Sequence, residues 1–364
     1  MRKFLPNETD ENFLIHCYRY FFSREPDPRG EKYYLEEMSN GMEREILIQE
    51  LISSDEFINK FNSGNLYSLT NSVSPFQRFA SEGHFYSPIP AGNDYKVNYD
   101  SLVLDEIDDK LMNEEYQLKI AEKFRAFYDE LPFMNKTSST HRYYLDNGSF
   151  NYFDGIILYS FIRMLNPKNI IEIGSGFSSA LMIDTCEKFL NGKTDISFID
   201  PYPSRLYNCI RPEDKKRYKF YEKNVQDVQL DIYQSLGEND ILFVDSSHDS
   251  KFGSDVNYIL FKIIPILQNG VIIHFHDIFK NFDYPVEWLK EGRAWNESYI
   301  LRAFLSCNKD YKILFFNDWF ADRHWTYLEK HMPLCTVQPK GSPFKNCGVS
   351  LWIKKVKQAA APVR

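Results

Sequence analysis

The run Asn169-Ile-Ile-Glu172-Ile-Gly174-Ser175-Gly176-Phe-Ser178-Ser179 places an acid, two glycines and two serines where a buried strand would turn into a helix. Glycine lets the backbone turn sharply and approach a ligand with no Cβ between, and a helix start offers unpaired N–H groups to a polar or anionic ligand. The next apolar run, Ile196-Ser-Phe-Ile-Asp200, ends in an acid about one strand-helix-strand unit later, where a ribose hydroxyl pair would sit. That pairing argues for a nucleoside-containing cofactor. Asn224-Val-Gln226-Asp227 follows with a polar pair suited to an adenine edge. Ile241-Leu-Phe-Val-Asp245-Ser-Ser-His248 sets a histidine three residues after an acid. Val271-Ile-Ile-His274-Phe-His276-Asp277 closes a fifth run in two histidines and an acid.

Five apolar runs that each end in polar residues need a scaffold bringing their carboxyl ends to one place. Strands expected at 170–173, 196–200, 218–222, 241–245, 271–275, 311–316 and 350–356 alternate with helical stretches, which predicts an α/β, doubly wound, seven-stranded Rossmann-like sheet. Ligands of such sheets sit outside the carboxyl ends of the strands. The last two strands follow an insertion (279–310) and are expected to form an antiparallel edge. That insertion carries Tyr284, Trp288, Trp295, Asn296, Glu297, Tyr299 and Arg302, aromatic faces and hydrogen-bonding groups that suit a sugar.

Ahead of the sheet, residues 10–61 read as a small all-α unit. Phe13, Leu14, Cys17, Tyr18, Tyr20 and Phe21 form one apolar stripe, and Arg24-Glu-Pro-Asp-Pro-Arg-Gly30 is a break. Tyr33, Tyr34, Leu35 and Met38 mark a second helix, Ile46 to Ile52 a third, and Ser53-Ser-Asp-Glu-Phe57 caps a short fourth. The expected organisation is a helical module over 1–66, a linker with an ordered loop and helix over 67–140, the α/β domain over 141–356 and a disordered tail over 357–364.

A chain of 364 residues with 43% hydrophobic and 16% aromatic content can bury one large core and a second small one. Net charge of −8 argues against a general nucleic-acid binder, which needs a basic face. No apolar stretch reaches transmembrane length, and the first ten residues carry no signal-peptide core. Six scattered cysteines without a C-x-x-C pair fit free thiols in a reducing cytoplasm.

In this order, E-I-G-S-G-x-S-S, F-I-D-P, V-Q-D, F-V-D-S-S-H and H-x-H-D-I-F resemble the class I S-adenosylmethionine-dependent methyltransferases, in their bacterial small-molecule and glycan O-methyltransferase branch. The resemblance spans roughly the last two hundred residues. It implies a cofactor-binding set of Glu172, Gly174, Ser175, Gly176, Ser178, Asp200, Gln226, Asp227 and Asp245, with Tyr152-Phe-Asp154 also near the cofactor. Likeness to the cation-dependent members implies Asp245 as a metal ligand, His248 as the base, and His276 with Asp277 completing a divalent metal site. His276 stands where the relatives carry a carboxylate, which favours a transition metal over Mg²⁺. Without metal, His248 alone would take the hydroxyl proton.

Residues 10–61 resemble the DUF4214 family through Arg24, Pro26, Asp27, Gly30, Tyr33, Tyr34, Gly41 and Ser54-Asp-Glu-Phe57, which implies an accessory or protein-docking module. The leading expectation is a methyl transfer from S-adenosylmethionine to a hydroxyl of a sugar or glycan. Two other readings stay open: a nicotinamide-dependent oxidoreductase, weakened because Ser179 replaces the third glycine and no Tyr-x-x-x-Lys is present, and a non-catalytic cofactor-binding scaffold. The acceptor, the identity of any metal and homo-oligomer formation are not specified by these motifs.

Overall fold

The computed structural model describes residues 9–22, 24–57, 84, 86–90, 109–338 and 348–356. The expected tail and most of the linker lie outside the described residues. The chain divides into two compact units, Met1–Asp94 and Tyr95–Arg364.

In the first unit, α1 (Asp10–Phe22), α2 (Pro28–Ser39) and α3 (Arg44–Ser53) pack around their own core of Phe13, Leu14, Cys17, Tyr18, Phe22, Met38, Leu47 and Leu51. The proline-glycine break has a local cause. Asp27 N-caps α2 by accepting from the Gly30 N–H at 3.0 Å, and Pro28 fills the first helical position, where its missing N–H costs nothing. Ser54 accepts from the Phe57 N–H at 3.2 Å and opens the short fourth turn.

The second unit is built on a seven-stranded sheet of β1 (Asn169–Ile173), β2 (Asp195–Ile199), β3 (Lys219–Tyr221), β4 (Ile241–Val244), β5 (Ile272–Phe275), β6 (Tyr311–Phe316) and β7 (Leu351–Lys355). Their spatial order is β3-β2-β1-β4-β5-β7-β6. β1 to β5 pair in parallel, while β7 runs antiparallel to both β5 and β6. The last two strands form the expected antiparallel edge, with β7 between β5 and β6 and β6 as the outer strand. The order of strands reverses between β1 and β4, which opens a crevice above their carboxyl ends.

β4 and β5 are buried at every residue, which is why they read as continuous apolar runs rather than alternating ones. On the sheet lie α4 (Glu114–Tyr128), α5 (Tyr152–Leu165) and α6 (Phe177–Phe189), with α5 packed against both neighbours and buried from Tyr152 to Ile162. Arg142 ties the chain before α5 to this layer. Its buried guanidinium meets Asp184 at 2.8 Å, Glu187 at 2.9 Å and Asp214 at 2.6 Å. The insertion folds as a short helix, Val286–Lys290, and α7 (Glu297–Cys307), and α8 (Asn317–His331) follows β6.

Candidate active site

The glycine turn after β1 is held by its surroundings. Gly174 has φ +78°, donates its N–H to the Ile199 carbonyl at 2.9 Å, and leaves only 1.7 Å between an added Cβ and the Asp245 carbonyl oxygen. Only glycine meets both conditions. Gly176 caps α6 and donates its N–H to Ser179 Oγ at 2.9 Å.

Asp200, just past β2, accepts the Ser175 N–H at 3.0 Å and the Tyr202 N–H at 2.7 Å. It forms one wall of a cavity of about 470 Å³ together with Gly174, Tyr202, Gln226, Asp245 and Ser246. Gln226 is tethered by donating from Nε2 to the Gly253 carbonyl at 2.9 Å. The Ser246 hydroxyl on this wall is buried and has no hydrogen-bond partner among the described residues. An enclosed hydroxyl of this kind calls for a polar ligand. The cavity therefore fits a nucleoside-bearing cofactor in its chemistry and its size.

Several members of the expected cofactor set do not line this cavity. Glu172 points into the protein, fully buried, and accepts from Ser178 Oγ at 2.5 Å and from the Ser179 hydroxyl. Burial pushes its pKa up to about 8 against the pull of those two hydroxyls. Glu172 and Ser178 thus bind strand to helix rather than ligand to protein. Ser175 and Gly176 flank the turn without lining the cavity wall. Asp227 accepts from Asn224 Nδ2 at 3.1 Å, and Asn224 takes its place on the wall. The cause is the 3₁₀ turn Val225–Asp227, whose residues point about a third of a revolution apart. Asp154 braces the sheet end, accepting from Ser350 Oγ at 2.5 Å and Asn317 Nδ2 at 2.9 Å.

At the far wall, Asp245 meets a cluster assembled from three elements. His248 has φ +62°, is 4% exposed, and lies with Nε2 3.5 Å from both Asp245 Oδ1 and Asp277 Oδ2. Its Nδ1 lies 2.9 Å from Glu297 Oε2, and its ring lies 4.4 Å from that of Trp295. Asp277 has φ +57°, a second left-handed backbone at a non-glycine residue. Such conformations cost free energy and persist where the surroundings enforce them, often at functional sites. Burial works against the His248 imidazolium, but the Asp245, Glu297 and Asp277 carboxylates outweigh it and hold the pKa well above the ordinary value.

The donor atoms of Asp245, His248 and Asp277 all lie within 4.8 Å of one another, and this nitrogen-and-carboxylate set fits a divalent cation. His276, expected in the metal set with Asp245 and Asp277, is not in this group of three, and its Nε2 lies 3.8 Å from Asp277 Oδ1. The strand pleat keeps His276 on the same face as His274, toward Ser350 Oγ at 3.5 Å and the Phe150 ring at 5.2 Å. The left-handed turn at Asp277 sets its carboxylate within reach of both rings, Oδ2 at 3.5 Å from His248 Nε2 and Oδ1 at 3.8 Å from His276 Nε2. His274 is a core histidine, bonded to Ser350 Oγ at 2.9 Å and stacked on Phe243 at 3.7 Å.

The sequence reading placed Glu297 among possible sugar contacts and missed its pairing with His248. The available signal was weak, since an acid opening an amphipathic helix is ordinary N-terminal chemistry. The aromatic residues of the insertion pack on one another, with Trp288 at 5.1 Å from both Phe279 and Trp295. Beside them is a cavity of about 260 Å³ lined by Phe279, Lys280, Asp283, Tyr284, Leu289 and Asp318.

This fold, a mixed sheet with its crevice at the β1–β4 reversal, is that of the doubly wound α/β proteins, whose ligands sit at such a reversal. A methyltransferase-domain family model matches residues 171–278, and a domain of unknown function, DUF4214, matches residues 2–61. An uncharacterised protein of Archaeoglobus fulgidus is 33% identical over 169 residues, which are 43% of this chain and 73% of that protein. The SAH-bound methyltransferase PaMTH1 of Podospora anserina is similar at 18% identity, covering 69% of this chain and 98% of that one, with a TM-score of 0.36. The O-methyltransferase TomG of Streptomyces achromogenes, in complex with SAM, is similar at 14% identity over 71% and 94% of the two chains, with a TM-score of 0.35. The chain thus carries a methyltransferase domain in its second unit and a DUF4214 domain in its first.

Proposed function

We propose that the protein transfers the methyl group of S-adenosylmethionine to a hydroxyl oxygen of a sugar or glycan. One observation carries this reading: Asp245 belongs both to the wall of the cofactor-sized cavity and to the buried cluster with His248 and Asp277. A methyl donor and a proton acceptor then share one side chain as their boundary.

In this reading Asp200 takes the ribose hydroxyls, and Asn224 with Gln226 takes the adenine edge. The carboxylates on the wall favour a sulfonium cation. S-adenosylmethionine supplies an electrophilic methyl, so the acceptor needs only an aligned oxygen that sheds its proton. His248 takes that proton as the O–C bond forms and the C–S bond breaks, leaving S-adenosylhomocysteine. A divalent cation would be held by Asp245 and Asp277 beside the ring, and when bound it would lower the pKa of the acceptor hydroxyl.

The sugar assignment draws support from the second cavity, where the Phe279 and Tyr284 rings adjoin the Asp283 and Asp318 carboxylates. Asp318 accepts the Lys280 N–H at 2.9 Å, and burial lifts its pKa to about 6. The N-terminal module serves docking to a partner or a large glycan in this reading, because its described residues offer no cluster of catalytic groups. A cytoplasmic site of action fits cysteines that form no disulfide among the described residues. Among the described residues no helix is long and apolar enough to cross a membrane.

Calorimetry with S-adenosylhomocysteine against NADH tests the cofactor, and transfer of a labelled methyl to a monosaccharide panel tests the acceptor. Binding of NADH alone would overturn the whole reading. Methylation confined to non-sugar hydroxyls would overturn its acceptor half.

A further inference from the structure

Three consecutive residues of the insertion grip the His248 loop. The Trp295 ring packs on the imidazole, as described above. The Asn296 and Glu297 N–H groups both donate to the His248 carbonyl at 3.1 Å, and Asn296 Oδ1 accepts the Ser250 N–H at 2.6 Å. Glu297 then adds its carboxylate, with Oε2 at 2.9 Å from His248 Nδ1. The backbone bonds already fix the loop, so the side chain has another use. Glu297 is 1% exposed, and its second oxygen, Oε1, is buried with no hydrogen-bond partner among the described residues. Enclosing a carboxylate with one oxygen unsatisfied costs more than an ordinary hydrogen bond contributes, and a neutral acceptor would hold the ring at lower cost.

We infer that Glu297 is a positioning residue for His248: it accepts the Nδ1 hydrogen and so holds the ring with Nε2 toward the space between Asp245 and Asp277. The inference rests on the reading of His248 as the proton acceptor. The O–H electron pair stays on the acceptor oxygen and becomes the new O–C bond, and the proton goes to Nε2. The S–C pair leaves with sulfur. Glu297 remains ionised and faces the imidazolium that forms, the arrangement by which a buried carboxylate supports an imidazole base in general.

The test uses the full chain bound to S-adenosylhomocysteine, with histidine ring nitrogens labelled. The expected result is a far-downfield imidazole N–H proton, assigned to His248 Nδ1 by the ring coupling pattern and by its loss in His248→Gln. In Glu297→Gln that proton shifts upfield or disappears, while S-adenosylhomocysteine affinity stays within about threefold. With a monosaccharide panel as acceptor, kcat in Glu297→Gln falls by about 10²-fold at unchanged KM for S-adenosylmethionine, as for a base that has lost its orientation. A wild-type spectrum with no such proton on His248, or a proton unmoved in Glu297→Gln, overturns the inference whether or not the variant is active. Loss of the proton together with loss of cofactor affinity makes Glu297 a brace and also overturns it. Full-rate transfer by His248→Gln with the proton assigned as expected would instead refute the base reading, and the positioning role with it.

Discussion

Gly174 and Asp245 are in backbone contact across the β1–β4 reversal: a Cβ on Gly174 would lie 1.7 Å from the Asp245 carbonyl oxygen. The obstacle to a larger residue is therefore the protein itself, not the ligand. Gly174→Ala must push β4's end away or abandon φ +78°, and we expect a loss of about 3 kcal/mol or more of stability. Thermal melts without ligand check this. An unchanged melting temperature with weakened S-adenosylhomocysteine binding would show that the glycine serves the ligand instead.

Asp200 is polarised by two backbone N–H groups, from Ser175 and Tyr202, and keeps its position without ligand. Asp200→Ala removes a charged acceptor for ribose hydroxyls and is expected to weaken S-adenosylhomocysteine binding by roughly 1.5–3 kcal/mol. Calorimetry on the folded variant measures it directly, and equal affinity would remove Asp200 from the cofactor site.

Glu172 links stability to pH. Its pKa rises from the ordinary 4.5 to about 8 in the folded chain, so the native state holds a proton that the unfolded state has released. The stabilisation is fully present below pH 4.5 and is lost as pH rises through 8, at up to about 1.4 kcal/mol per unit. Denaturant titrations from pH 5 to 9 should show this decline, and Glu172→Gln should flatten it. A slope equal in both proteins would assign the effect to another group.

We propose a cation set of Asp245, His248 and Asp277, without His276. Titration of the full chain with Mn²⁺ should therefore show binding that Asp277→Asn weakens by about tenfold or more, while His276→Gln leaves it within about threefold. Chelation should lower methyl transfer and leave S-adenosylhomocysteine affinity nearly intact. Binding that depends on His276 would restore the arrangement expected from the motif alone.

Each of the two units has its own buried core. A chain beginning at Tyr95, the start of the second unit, should fold and bind S-adenosylhomocysteine with the affinity of the full protein. Calorimetry on this fragment decides it, and a folded fragment that binds nothing would give the helical module a part in the site.

The sequence alone determined the features that depend on neighbours along the chain. The seven strands were legible because buried parallel strands are written as unbroken apolar runs, as in Ile241–Val244, and the turn at Gly174 because only glycine accepts its backbone. Asp200 was legible because a strand's end is a fixed distance from its start. Tertiary structure decided what depends on direction and distant partners. Glu172 and Asp227 have the expected types at the expected positions, yet one faces inward to two serines and the other is rotated off the cavity by a 3₁₀ turn. Asp277 takes a left-handed backbone, and its two carboxylate oxygens face His248 and the adjacent His276. Glu297 reaches His248 from 49 residues away. Sequence spacing records no such contact, because it is made only when the insertion folds back over the end of β4.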